Sequence, residues 1–133
     1  MMRPTLRTSV RAFITALTIA AIGGGAMAAK PNLRAFFASD FTDAAYQQKT
    51  FEKVGKAWKR PAEMPEAGSK SVVIATILRD GSLLERKLHH ESGSKAWDDA
   101  AMNAVKAAAP LDPLPKSYPR TSVEVHFHFE VIP

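Results

Sequence analysis

The clearest periodic signal lies near the C-terminal end, where Val123, Val125, Phe127, Phe129 and Val131 alternate with Ser122, Glu124, His126, His128 and Glu130. Successive strand side chains point to opposite faces, so this pattern predicts a strand with one buried and one wet face. Ser71 to Leu78 reads differently: Val73, Ala75 and Ile77 fall on one face, and Val72, Ile74 and Leu78 on the other. A run that is apolar on both faces marks a central strand. Arg79-Asp80-Gly81-Ser82 follows, and Asp-Gly between two strand-like runs predicts a hairpin, because the turn needs the positive φ that glycine supplies. Leu83 to Glu91 is the returning strand; its Glu85, Arg86 and Lys87 suit an edge, where charge opposes aggregation.

Two segments carry the helical period. Between Asp43 and Trp58, the residues Tyr46, Thr50, Val54 and Trp58 recur every four positions, Phe51 widens the stripe, and Thr42 or Asp43 is the expected N-cap. Pro61 and Pro65 prevent continuation. The second helix is expected from about Ala96 to Ala109, with Trp97, Ala101, Ala104, Val105 and Ala108 on one stripe. Asp98 and Asp99 sit near its N-terminus, where the dipole favours negative charge, and Pro110 stops it. Leu111-Asp112-Pro113-Leu114-Pro115 is then a stiff, extended connection. Ala29 to Thr42 mixes Pro31, Asn32, Ser39 and Asp40 with Phe36 and Phe37 without a sustained period, and reads as a linker.

These elements predict an α+β fold: a three-stranded antiparallel sheet with two helices packed on it. Counting those three strands in chain order, the hairpin and a right-handed crossover give the order 2-1-3, with the most apolar strand central and the last one at an edge. The expected division is a targeting segment at residues 1–28, a linker at 29–42 and one domain at 43–133. Val72, Ile74 and Leu78, on the outer face of the central strand, need cover. The leading helix or the Phe36-Phe37 segment is expected to supply it, with a second subunit as the alternative.

Composition changes the picture mainly at the N-terminus. Arg3, Arg7 and Arg11 precede an apolar run from Ala12 to Ile22, and Ala26-Met27-Ala28 has the small-x-small pattern that signal peptidase reads. Cleavage after Ala28 would place the chain in the periplasm. A retained inner-membrane anchor is the rival, but Gly23-Gly24-Gly25 interrupts an uncharged stretch already shorter than the roughly 20 residues a span needs. Membrane contact is expected only if this segment is kept. Removing the three leader arginines lowers the net charge from +5 to +2. The remaining basic residues are interspersed with acids, which argues against a nucleic-acid partner. With no cysteine there is no disulfide framework and no thiolate chemistry.

Candidate chemistry is sparse. Asp98 and Asp99 are adjacent, so on a helix they diverge and do not form an acid/base pair, and no Ser/His/Asp ordering or glycine-rich phosphate loop stands out. His126 and His128 share one strand face, but His89 and His90 lie two strands away, about 10 Å at the spacing of strands. No metal, no cofactor and no enzymatic activity are expected. An edge strand can bind a peptide, because its outward N–H and C=O groups are unpaired. Ser122, Glu124, His126, His128 and Glu130 would line the open face beside such an added strand.

The ordered set of Trp58-Lys59-Arg60-Pro61, Arg79-Asp80-Gly81-Ser82, Ser92-Gly93, Trp97-Asp98-Asp99-Ala100-Ala101, Ala104-Val105 and Pro110 to Pro115 before an alternating strand resembles the C-terminal domain shared by TonB and TolA proteins of Gram-negative envelopes. The resemblance spans roughly Tyr46 to Val131 and is nearer the TolA side. It implies a helix-on-sheet domain that binds periplasmic or outer-membrane proteins, in TonB by adding a receptor's strand to the last strand of the domain. It also implies a role in transmembrane transport or envelope integrity. The family's transducers carry a transmembrane helix with a coupling Ser and His and a long spacer. Here no His precedes His89, and about a dozen residues separate leader from domain. An anchored energy transducer and a homodimer through paired edge strands are the two alternatives to a free interaction module.

Overall fold

Asp43 opens the first helix by accepting a hydrogen bond from the Tyr46 backbone N–H at 2.9 Å, which satisfies one of the amides a helix start leaves free. Helix α1 then runs Ala44–Ala57 and buries Tyr46, Thr50 and Val54. Ser94 plays the same part for helix α2, Lys95–Ala108, accepting from the Trp97 N–H at 3.2 Å. Its stripe of Trp97, Ala101, Ala104 and Val105 is buried as the period predicts. The small alanines let α2 lie close to the sheet beneath it.

The computed structural model describes residues 28–133, so the targeting segment expected at 1–28 falls, but for Ala28, outside the described residues. Among the described residues four strands form one sheet: β1 is Lys30–Phe37, β2 Lys70–Leu78, β3 Leu83–His90 and β4 Ser122–Ile132. Their order is β1-β4-β2-β3 and every pairing is antiparallel. The expected arrangement of the last three is reproduced, with β2 central between β3 and β4. The count of three is corrected to four, because the stretch expected as a linker supplies β1. The physical reason is legible afterwards. Pro31, Leu33, Ala35 and Phe37 point to one side and Asn32, Arg34 and Phe36 to the other, but two successive phenylalanines and a proline break the hydrophobic alternation.

Both helices lie on one face. The core beneath them is built from Val73, Ala75 and Ile77 of β2 and Val123, Val125, Phe127, Phe129 and Val131 of β4, all buried. Trp97 is fully enclosed, meets Trp58 edge-on at 5.3 Å between ring centroids, and donates its indole N–H to the Phe129 carbonyl at 2.9 Å. Asp98 is more than a dipole partner: it is buried, and its Oδ1 accepts from the Ser71 hydroxyl at 2.6 Å and the Ser92 amide at 2.9 Å, tying α2 to β2 and to the end of β3.

The hairpin end is braced by the proline-rich connection. Gly81 has φ near 92°, and a Cβ there would collide with the Leu111 carbonyl, so glycine is required on two counts. Arg79 reaches across to donate to the Pro115 carbonyl at 3.0 Å and to those of Tyr118 and Arg120. Among the described residues, no helix is long and apolar enough to cross a membrane.

Candidate functional site

All five residues expected to line a binding strand come together on the helix-free face of β4. Glu124 is exposed, and its Oε2 lies 2.6 Å from His126 Nε2. His126 and His128 are half-buried, and Ser122 stands at the start of the row beside Leu78. Glu130 is 9 % exposed and is held by Arg34, whose Nε and a terminal guanidinium nitrogen both donate to Oε2, at 2.8 and 2.7 Å. The Arg34 guanidinium also lies 5.0 Å above the Phe36 ring, and Phe36 meets the His128 imidazole edge-on at 4.8 Å.

His128 is the unusual member of this row. Its Nδ1 is buried without a hydrogen-bond partner and lies 3.8 Å from Glu130 Oε2. Burial pushes its pKa below the ordinary imidazole value, and the positive charge of Lys70 adds to that; Glu130 pulls the other way but does not win. A neutral ring packed against Phe36 is the consequence.

The expectation that β4 is an edge strand is corrected. Lys30 to Phe37 pair with Ile132 to Val125 one for one, so the outer backbone of β4 is already engaged by the chain's own β1. Among the described residues, the edges of the sheet are instead β1 and β3. The expectation about cover is corrected in part. Neither helix reaches the outer face of β2, where Val72, 4 % exposed, pairs with His90 on β3 and His128 on β4. Ile74 and Leu78 are left half-buried. Phe36 lies on that face at the far strand, 44 % exposed, while Phe37 turns to the helix side and stacks on Phe41 at 5.1 Å.

The distance expected between the two histidine groups is also too long. A β-irregularity between Val72 and Val73 lets the His89 ring come within 6.4 Å of the His126 ring, centroid to centroid. Among the described residues, no three His, Cys, Asp or Glu side chains converge on a point where a metal ion would be held. What the face offers is a row of polar and aromatic side chains beside a strand pairing.

The family of TonB C-terminal domains matches residues 43–129. The chain belongs to that family. A solved structure of TolAIII bound to a peptide derived from the N-terminus of TolB has a similar fold, with a TM-score of 0.50 and 20% sequence identity. The likeness covers 58% of this chain and 64% of that one, so the chain spans less than two thirds of the neighbour's length. None of the curated proteins matches the chain. The match begins at Asp43, the N-cap of α1, and β1 lies ahead of it. Apart from β1, the TonB C-terminal match takes in every element, and of β4 it leaves out only the last three residues.

Proposed function

We propose that the chain is a periplasmic protein-interaction module of the TonB/TolA type, binding an extended segment of an envelope protein by strand addition along β4. The observation that carries this reading is the β1 pairing. An eight-residue segment lying ahead of the family domain is laid antiparallel along the outer edge of β4. That edge accepts an added strand, and side chains at alternate positions meet it: Glu130 takes a cation and His128 takes a ring. The peptide derived from the N-terminus of TolB on TolAIII supports the same class of partner, a peptide segment of another protein. Ser122, Glu124, His126, His128 and Glu130 are the residues that would read the partner, and no reaction is assigned to the chain.

The arginine leader and the small-x-small site at Ala26 to Ala28 support export to the periplasm. The intact mass of the protein in its own host separates a free module from an anchored transducer. A mass beginning at Ala29 in the soluble periplasmic fraction is expected; full-length protein in the membrane fraction would put energy transduction first. The interaction itself is tested with a photo-crosslinking residue in place of His126. A discrete adduct with an envelope protein in cells is expected, and its absence counts against the interaction at β4.

A further inference from the structure

β1 holds its place lightly. Of its eight residues Leu33 alone is buried, whereas Ser71, Val72, Val73, Ala75 and Ile77 are buried in β2. Among the described residues its outer edge pairs with no other strand, and its helix-side anchors are Leu33, beneath α1 at Gly55, and Phe37, stacked on Phe41. The remaining ties are those any strand of matching sequence would reproduce: the backbone ladder, the Arg34–Glu130 pair and the Phe36–His128 contact. The ladder also ends before β4 does. It stops at the Phe37–Val125 pair, one further bond runs from the Ala38 N–H to the Glu124 carbonyl at 3.1 Å, and the chain then turns away. Ser122 and Val123 pair with β2 on one side and, among the described residues, with no strand on the other. A groove lined by Phe36, Phe37, Ala38, Glu124 and His126 opens at that point, where an incoming strand can begin to pair before β1 has left.

We propose that β1 is a self-supplied occupant of the binding edge, which the partner's strand displaces starting from Ser122, and that its sequence is the template for what the edge accepts. The partner segment runs antiparallel to Val125–Ile132. It carries small or apolar residues at the positions of Leu33, Ala35 and Phe37, a cation at the Arg34 position, opposite His128 and in reach of Glu130, and an aromatic ring at the Phe36 position, opposite His126 and against His128. This rests on the reading of β4 as the partner edge, and adds to it that the free protein is closed and that the ligand is basic and aromatic on its open face.

The absence of cysteine from the chain permits a reversible lock. Lys30 and Ile132 oppose each other directly, outside the row that would read the partner and within reach of a cross-strand disulfide in a Lys30→Cys/Ile132→Cys double variant. The probe is a fluorescent synthetic peptide with the sequence of residues 30–37, titrated against the full chain by anisotropy. The reduced variant is expected to bind the peptide, and the oxidised variant to bind at least about tenfold more weakly, as is a peptide with glutamate at the Arg34 position bound to the reduced chain. Equal binding by the oxidised and reduced forms, or no binding by the reduced form, overturns the displacement. Equal binding of the charge-reversed peptide overturns the template. These results are separate from the cellular crosslink: adducts at the His126 position together with a β1 that never yields to the peptide would leave the interaction module standing and remove this inference alone.

Discussion

His128 shows how one side chain couples the open face to solution conditions. It is crowded by Phe36 and Val72, and the charged or titratable groups facing it are Glu130, Lys70, Arg34 and His126. Its pKa is lowered in the folded protein, so between the folded value and the ordinary 6.5 the unfolded chain binds the extra proton. Stability is therefore complete above the unfolded value and falls as pH drops below about 6.5. Thermal unfolding between pH 7.5 and 5 is expected to show this loss, and His128→Gln to flatten it. An unchanged slope in the variant would assign the effect to other groups. On the other face, Trp97→Phe keeps most of the ring but withdraws the donor from the Phe129 carbonyl. A cost of about 2 kcal/mol is expected in denaturant unfolding, from one lost hydrogen bond and a small cavity.

Elements differ in how openly the sequence declares them, and the differences are physical. Helix α2 is legible because tryptophan and alanines recur at its period and Pro110 stops it; Ser94→Ala should cost about 1 kcal/mol, measurable in the same unfolding experiment, since the cap serves the Trp97 amide. The hairpin is legible because Asp-Gly has so few alternatives, and Gly81→Ala is expected to destabilise by more than about 1 kcal/mol, its φ and the Leu111 carbonyl both opposing a Cβ. β4 is legible for its strict alternation. β1 is not, because an added strand with one buried residue needs little hydrophobic signal of its own: its register comes from the edge it joins. The same gap hid the state of the site. The row from Ser122 to Glu130 could be read from the period of β4 alone, but its occupation depends on Arg34 and Phe36, residues of a segment whose pattern looks irregular. The tie between Asp98, Ser71 and Ser92 was equally hidden, being a contact between three elements that only the packing of α2 brings together.

At the scale of the whole sheet, the closed arrangement protects the molecule from itself. Among the described residues its two edges are β3, which carries Glu85, Arg86 and Lys87, and β1, which begins at Lys30-Pro31; both are poor templates for further pairing. β4 is the opposite: long, regular and rich in valine and phenylalanine. With β1 docked, the chain is expected to be a monomer at micromolar concentration. Leu33→Asp would place a carboxylate under α1 with no partner for its charge, and β1 should come away while α1, β2, β3, α2 and β4 stay folded. Two such chains can then satisfy Val125–Ile132 by pairing β4 against β4, antiparallel about a twofold axis. Light scattering on a size-exclusion column should show a concentration-dependent dimer for Leu33→Asp and none for the wild type, with the far-ultraviolet dichroism of both remaining that of a folded domain. A folded variant that stays monomeric across the same range would mean that an open β4 is not adhesive by itself. The homodimer through paired edge strands would then be removed, and recognition at this edge would depend on the side-chain contacts that Glu130 and His128 supply.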